Sequence, residues 1–300
     1  MCGIVGLFLR DASLKPEFGS LLAAMLETMT ERGPDSAGFA VYNDSDAASV
    51  KIVVRPQSES QTAGLIRGLE EFAPGAYDFT VRYTHLLVRT GKDNLGKTLA
   101  YLADNYAGAE IISVGEKMEL YKEIGLAADI SREFGLLQMA GTHGVGHTRM
   151  ATESAVTTDG AHPFTTASDQ CLVHNGSLSN HNNLRRQLIK QGLTFRTRND
   201  SEVAAGYLSW RLKEHDNLGV ALEHTLDDLD GFFTFVVGTA NGFGVLRDPI
   251  ACKPAVMVET DQYVAFGSEY RALAPLPGVE KGRVWEPEPA KVYFWERNHA

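Results

Sequence analysis

Cysteine is scarce in this 300-residue chain, which contains only Cys2, Cys171 and Cys252. Three cysteines cannot build a disulfide framework, and such sparse use is typical of a reducing compartment, so we expect a cytoplasmic protein. The chain also lacks a C-x-x-C pair. The glycines between His143 and His147 argue against the helix that would let this pair bind one ion, so we expect no metal site and no cofactor.

Positive charge and long apolar runs are also in short supply. Lys and Arg number 28 against 38 Asp and Glu, which gives a net charge of −10. Because such a surface repels phosphate backbones and anionic lipids, we expect neither nucleic acid nor a membrane as partner. The longest apolar candidates, such as Phe232–Gly238, fall well short of the ~18–20 residues of a membrane helix. The N-terminus lacks the basic segment of a secretory signal.

One segment matches the sequence pattern of a nucleotide-binding motif but lacks the other elements of such a site. The stretch GKDNLGKT at Gly91–Thr98 matches the phosphate-loop pattern G-x-x-x-x-G-K-[ST]. A nucleotide-hydrolysing domain also needs a second strand that ends in Asp to hold Mg²⁺, and the nearest apolar run, Ile111–Gly115, ends in Gly. Because 29 of the 300 residues are glycine, a chance match is expected in roughly one chain in fifty of this size and composition. We interpret this stretch as a loop-to-helix turn.

Apolar periodicity predicts mixed strands and helices, with helices between two sets of strands. This order favours a sandwich with sheets inside and helices outside. Separately, residues 32–38 have the composition of a turn. The predicted strands are Cys2–Leu9, a pair formed by Phe39–Asn43 and Val50–Arg55, then Thr80–Val88, Thr142–Arg149, Gln170–His174, Phe232–Thr239, Gly242–Leu246, Ala255–Glu259, Tyr263–Phe266 and Lys291–Trp295. The predicted helices are Pro16–Thr30, Leu95–Tyr106, Ser179–Gln191 and Ser201–Glu214.

The position of Cys2 is the first chemical signal. If the initiator methionine is removed, which a small second residue favours, Cys2 carries a thiol and a free α-amine on one Cα. An α-amine has an ordinary pKa of ~7.7–8.0 and a thiol one of ~8.5, so the amine can act as general base for the thiol near neutral pH. One residue then supplies nucleophile and base. Taken alone, a cysteine at this position is also compatible with chance.

Two further segments offer groups for a small polar substrate. In HNGSLSN, the Asn175 amide and the Gly176 backbone N–H are the donors that a tetrahedral oxyanion needs, although an Asn-Gly pair also forms plain turns. In AHPF, His162 is a site-lining or structural residue.

Arg149 and Asp200 are candidates for binding a free amino acid. Arg149 ends a predicted strand, where its guanidinium can grip a carboxylate with two hydrogen bonds. Asp200 precedes a predicted helix, where it either pairs with a substrate ammonium or serves as an N-cap. Together the two side chains would hold the carboxylate and the amine of an α-amino acid.

Eight motifs occur in the order typical of one family. They are MCGI, RGPDSAG, GHTRMAT, AHP, HNGSLSN, DSE, RDP and GSE. Together they resemble the class II glutamine amidotransferase domain, an N-terminal-nucleophile hydrolase. The resemblance implies an α+β fold, a four-layer αββα sandwich, and hydrolysis of L-glutamine to glutamate and ammonia through a γ-glutamyl thioester. It covers residues 2–55 and 141–274, and residues 56–140 resemble an insertion within a domain that spans 2–300.

The resemblance also implies a role for each matching residue. Cys2 would be the nucleophile, and Asn175 with Gly176 the oxyanion hole. Arg149 would bind the glutamine α-carboxylate and Asp200 its α-ammonium, and Arg32 would lie near the amine of the nucleophile. The sequence departs from the family at Met150, where Trp is common, and at Gly160, where Asn is common. Both departures affect closure of the site and rate more than reaction type.

Class II relatives usually carry a synthase domain that consumes the ammonia, but here the predicted strands reach almost to Ala300. We therefore expect a separate synthase subunit to receive it. The length and the segment Gly115–Gly125 resemble the amidotransferase-like subunit of split glutamate-synthase-like systems such as N-methylglutamate synthase. The insertion is then either a docking surface or a decoration of the core. Two alternatives stay open: a non-catalytic subunit of such a synthase, and a γ-glutamyl amide hydrolase that transfers no ammonia.

Overall fold

The computed structural model describes residues 2–44, 48–151, 155–215 and 217–297. Met1, and Thr152 at the end of the GHTRMAT motif, lie outside these ranges. The helices are α1 (Phe18–Glu27), α2 (Glu59–Phe72), α3 (Leu95–Asn105), α4 (Ala127–Glu133), α5 (His181–Lys190), α6 (Asp200–His215) and α7 (Leu218–Asp228). The strands are β1 (Gly3–Leu9), β2 (Ser36–Tyr42), β3 (Ser49–Arg55), β4 (Tyr77–Arg82), β5 (His85–Gly91), β6 (Glu110–Gly115), β7 (Met118–Ile124), β8 (His143–Arg149), β9 (Phe164–Ala167), β10 (Gln170–Leu178), β11 (Gly231–Gly238), β12 (Gly242–Arg247), β13 (Val256–Glu259), β14 (Tyr263–Gly267), β15 (Arg283–Trp285) and β16 (Val292–Glu296).

Two antiparallel sheets form the centre of the molecule. The larger has the strand order β15-β13-β14-β1-β8-β2-β7, and the smaller has the order β16-β12-β11-β10-β9. Apolar side chains from both sheets, such as Val5 of β1 and Val236 of β11, share one buried core. Helices α1 and α4 pack on the outer face of the larger sheet, and α6 and α7 pack on the smaller one. The αββα sandwich expected from the sequence is therefore confirmed.

The buried strands and helices follow from the apolar pattern. The run GIVGLFL of β1 is buried at every position, as a strand covered on both faces requires. Helix α1 buries Leu22, Met25 and Leu26 on one face, and 3-10 turns at Ala12–Glu17 and Thr30–Arg32 flank it. In the described part of the chain, no helix is long and apolar enough to span a membrane.

A third, four-stranded sheet has the order β4-β5-β3-β6, and a separate apolar cluster joins it to α2 and α3. Most of the stretch 56–140 belongs to this unit, whereas β7 and α4 belong to the main sandwich. That the stretch is an insertion within one domain stays a prediction. Its segment 91–98 closes β5 with a 3-10 turn and forms the first turn of α3.

Two strand predictions are wrong. The strands β2 and β3 do not pair: β2 lies between β7 and β8 in the large sheet, and β3 lies between β5 and β6 in the third sheet. The predicted strand Thr80–Val88 is a hairpin, because the chain reverses at Tyr83, whose φ is 48°. The turn predicted at residues 32–38 is shorter, since β2 begins at Ser36.

Candidate active site

Cys2 lies directly before β1, at an end of the gap between the two central sheets. Its carbonyl oxygen accepts hydrogen bonds from Arg32 Nε at 2.9 Å and from Asn175 Nδ2 at 3.3 Å. Its Sγ lies 4.0 Å from the carbonyl oxygen of Met150, and the residue is partly exposed. Because Asn175 belongs to β10, these bonds join the two sheets at the cysteine, whose thiol stays within reach of solvent.

A chain of charged side chains fixes Arg32 against the backbone of Cys2. Arg32 is 8% exposed, and its Nη1 forms an ion pair with Glu269. Glu269 also accepts from Arg271 Nε at 2.7 Å, and Arg271 pairs with Glu31 at 2.7 Å. The guanidinium of Arg32 is the main cause that lowers the pKa of the Glu269 carboxyl. Glu269 therefore stays ionised at neutral pH and holds the arginine in place.

Gly176 follows Asn175 within β10, in a backbone conformation that favours glycine. The N–H of Leu178 and the carbonyl of His174 both point away from β11, towards Asp200 and His147 respectively. Backbone groups alternate in direction along a strand, so the N–H of Gly176 points the same way. Its φ is 153°, and a Cβ here would lie 2.0 Å from the Phe232 carbonyl oxygen. Only glycine fits this position.

Arg149, at the end of β8, is 5% exposed and is wrapped by the segment 155–161. Its Nη1 donates to the Ala155 carbonyl at 3.3 Å, and a Cβ on Gly160 would lie 3.0 Å from the same nitrogen. The backbone beside it is held by Asp35, whose carboxylate accepts from Ala151 N at 2.8 Å. The guanidinium is thus fixed on the residue directly before Met150, whose carbonyl approaches the thiol.

Asp200 is the first residue of α6, and its carboxylate reaches back to β10. Oδ2 accepts from Leu178 N at 2.9 Å, and Oδ1 accepts from Ser201 Oγ at 3.3 Å. Ser201 Oγ also bonds His174 Nδ1 at 2.9 Å. The side chain that binds a free N–H of the helix is Asn199, which accepts from Ser201 N at 2.9 Å. The N-cap role left open for Asp200 is therefore not what the structure favours.

Three buried histidines, His147, His162 and His174, lie next to these residues. His147 Nε2 donates to the His174 carbonyl at 3.1 Å, and its ring stacks on His162 at 4.0 Å between centroids. Burial lowers the pKa of His147 to about 3 and lowers those of His162 and His174 as well. All three are neutral at pH 7. His162 is 4% exposed and packs on His147 and Phe164, so its described contacts are those of a packing residue.

The structure brings most of the sequence candidates together. Cys2, Arg32 and Asn175 are in direct contact, with Gly176 adjacent, whereas the hydrogen bonds of Asp200 go to Leu178 and Ser201 instead of Cys2. Their chemical roles stay predictions. Sequence reasoning assigned no part to Glu269, Ser201 or Asp35. The sequence did contain a signal for them, since all three residues belong to the motifs GSE, DSE and RGPDSAG that carry the family resemblance.

Comparison with known proteins gives a consistent result. Residues 133–295 match the glutamine amidotransferase domain family. The glutamine amidotransferase-like protein GlxB of Rhizobium meliloti is 57% identical over the full length of both chains. A putative glutamine amidotransferase of Methanothermobacter thermautotrophicus is 30% identical over 98% of this chain and 99% of its own.

Solved structures share the fold at lower identity. The glutamine phosphoribosylpyrophosphate amidotransferase of B. subtilis superimposes with a TM-score of 0.63 at 20% identity, over 98% of this chain. The present chain spans 47% of that solved chain.

Proposed function

The chain belongs to the glutamine amidotransferase family, and we propose that it hydrolyses L-glutamine with Cys2 as nucleophile and passes the ammonia to a separate synthase subunit. The observation that carries the proposal is the convergence of Arg32 and Asn175 on the Cys2 carbonyl. A 3-10 turn and a strand of the smaller sheet there hold the backbone of a partly exposed cysteine. A cysteine with a merely structural role would need no such support.

In this proposal the reaction begins once Met1 has been removed. The α-amine of Cys2 takes the thiol proton, and the sulfur adds to the side-chain carbonyl carbon of glutamine. The Asn175 amide and the Gly176 N–H donate to the resulting oxyanion. The C–N bond then breaks, ammonia leaves with the proton from the amine, and water hydrolyses the γ-glutamyl thioester to glutamate and free thiol.

Arg149 and Asp200 select the head group of the substrate in this proposal. A buried guanidinium forms two parallel hydrogen bonds with a carboxylate, and a carboxylate near the site pairs with the α-ammonium. In this proposal His162 has an indirect role: its ring stacks on that of His147, which bonds the His174 carbonyl next to Asn175. Because the three histidines are neutral, none of them adds positive charge beside Arg149.

The acceptor of ammonia is, in this proposal, a synthase of the glutamate-synthase-like type, such as N-methylglutamate synthase. Support comes from the sequence resemblance of segment 115–125 and from a relative that matches this chain from end to end. The third sheet offers a surface beyond the αββα sandwich, which supports a docking role for residues 56–140.

The test is covalent labelling with 6-diazo-5-oxonorleucine, an electrophilic glutamine analogue, followed by intact mass and peptide mapping. We expect one adduct, on Cys2, in a chain that lacks Met1, together with glutamate release from glutamine. Cys2→Ala is the control: it loses both signals and keeps its melting temperature, since the residue is partly exposed and adds little apolar burial.

The same experiment separates the two alternatives. No adduct, with or without candidate synthase subunits, would favour a non-catalytic subunit. An adduct together with faster hydrolysis of other γ-glutamyl amides than of glutamine would favour an amide hydrolase that transfers no ammonia.

A further inference from the structure

Two adjacent residues of β7, Lys122 and Glu123, bind the segment that wraps Arg149. Strand β7 is the edge strand of the large sheet and belongs to none of the eight sequence motifs. Side chains of neighbouring strand residues point to opposite faces. The segment 155–161 is therefore held from two directions.

Lys122 provides the first attachment. Its Nζ donates to the Ala161 carbonyl at 2.8 Å and to the Asp159 carbonyl at 3.2 Å, and it lies 4.6 Å from the centroid of the Phe164 ring. The residue is 3% exposed. Its hydrogen-bond acceptors are the two carbonyls of this segment, and the carboxylates of Asp159, Glu202 and Glu110 act on it only at longer range.

A buried amine suits this task in either charge state. Burial lowers the pKa of Lys122 to about 7. The neutral amine still has two N–H groups, which equals the number of carbonyls it binds. A buried lysine normally needs a carboxylate partner because desolvation of its charge is costly. Here its position is explained by the backbone it holds.

Glu123 provides the second attachment and extends it to the third sheet. One carboxylate oxygen accepts from Thr158 Oγ1, and the other accepts from Thr84 Oγ1 at 3.0 Å. Arg55 Nε, at the end of β3, lies 3.4 Å from the same oxygen as Thr84. Glu123 therefore joins the hairpin between β4 and β5 to the segment 155–161.

Segment 155–161 in turn contacts the Arg149 side chain: the Ala155 carbonyl accepts a hydrogen bond from it, and Gly160 lies close to the same nitrogen. We propose that Lys122 and Glu123 are positioning residues, which fix segment 155–161 so that Arg149 presents its guanidinium to the substrate α-carboxylate. This inference rests on the proposed function. It adds to that function two residues outside the site and a link from the third sheet to substrate recognition.

The test compares Lys122→Met with Lys51→Met. Methionine keeps the apolar contact and removes the donors. Lys51 is the control because it is also 3% exposed and donates to a backbone carbonyl, that of Lys117 at 3.2 Å, far along the chain from segment 155–161. Unlike Lys122 it also pairs with Glu119 at 3.3 Å, so the melting temperature of this variant is measured as well. The readout is the kinetics of Cys2 inactivation by 6-diazo-5-oxonorleucine, which carries the amino-acid head group. Iodoacetamide, which lacks it, reports the accessibility and reactivity of the Cys2 thiol without head-group binding, provided that the adduct is mapped, because Cys252 is also exposed.

In Lys122→Met we expect the half-saturating concentration of the glutamine analogue to rise about tenfold, which is the loss of about one charge-assisted hydrogen bond. The maximal inactivation rate and the rate with iodoacetamide should stay within about threefold of wild type, because neither depends on binding of the amino-acid head group. A threefold change corresponds to about 0.7 kcal/mol. Lys51→Met leaves all three values near wild type. A general loss of structure would instead change both reagents together.

Thr158→Val keeps the inference testable if Lys122→Met does not fold. It removes the bond to Glu123 at nearly constant volume and is expected to raise the same half-saturating concentration. Unchanged saturation in the folded variants, or equal effects on both reagents, would overturn the inference while leaving the proposed function intact. Failure of the wild-type protein to react at Cys2 with the glutamine analogue would overturn both.

Discussion

Acid is expected to unfold this protein because several histidines are buried in their neutral form. Burial is the main cause that lowers the pKa of His85 and His147 to about 3, that of His143 to about 4, and that of His162 well below its usual value. In the unfolded chain each titrates near its ordinary pKa of ~6.5. Between these values the unfolded state binds more protons, so stability falls as the pH drops below about 6.5.

The magnitude follows from the same shifts. A histidine that stays neutral in the folded state loses about 1.3 kcal/mol of stabilisation between pH 7 and pH 5.5. Four such groups together give about 5 kcal/mol, a large share of the 5–15 kcal/mol by which domains are typically stable. Lys122 adds only about 0.4 kcal/mol in the same direction, because with a pKa of about 7 it is half deprotonated in the folded state at pH 7 and binds its proton in both states at pH 5.5.

The assay is equilibrium unfolding in urea at pH 7 and pH 5.5, followed by tryptophan fluorescence. His85→Gln is the informative variant, since His85 is 1% exposed on β5, outside the candidate site. It should reduce the pH dependence by about 1.3 kcal/mol, the share of one histidine. A free energy of unfolding that changes by less than about 1 kcal/mol between the two pH values would refute the reasoning.

Three substitutions test the site itself. Asn175→Asp keeps the shape but puts a negative charge beside the Cys2 carbonyl and the developing oxyanion, so glutamate release should fall about 10²–10³-fold in a glutaminase assay. Asp200→Asn keeps an oxygen for Leu178 N, so the fold should persist while KM for glutamine rises and kcat changes less. Gly176→Ala should lower stability by about 1–3 kcal/mol in urea unfolding and abolish activity, because the added Cβ meets the Phe232 carbonyl.

Local patterns predicted the elements of the sandwich better than their pairing. The apolar run of β1 and the helical spacing of apolar residues in α1 are strong enough to be read directly. The strands β2 and β3 are neighbours along the chain and lie in different sheets, and nothing between them signals this. The β4–β5 hairpin was missed because Tyr83 turns the chain with a positive φ, although turns of this kind usually contain glycine or asparagine.

In the site, too, the local sequence identified individual residues but not the contacts between them. Linear motifs supplied Cys2 and Asn175, yet only the structure places their contact, which joins residues 173 positions apart. The Arg32–Glu269 pair spans 237 positions. Lys122 and Glu123 lie in the segment 115–125 that carries a family resemblance, but nothing local indicates their contacts, because a Lys-Glu pair in a strand usually faces solvent. Their burial depends on segment 155–161, which periodicity does not locate.

The central claim, that a free N-terminal cysteine is both nucleophile and base, is tested most directly on one preparation before and after cleavage. A removable N-terminal extension, cut so that Cys2 becomes the first residue, blocks the α-amine until the protease acts. We predict that glutamate release from glutamine rises at least about 100-fold on cleavage, as expected when a general base becomes available. Equal activity in the blocked and cleaved forms, with intact mass confirming the extension, would contradict the account.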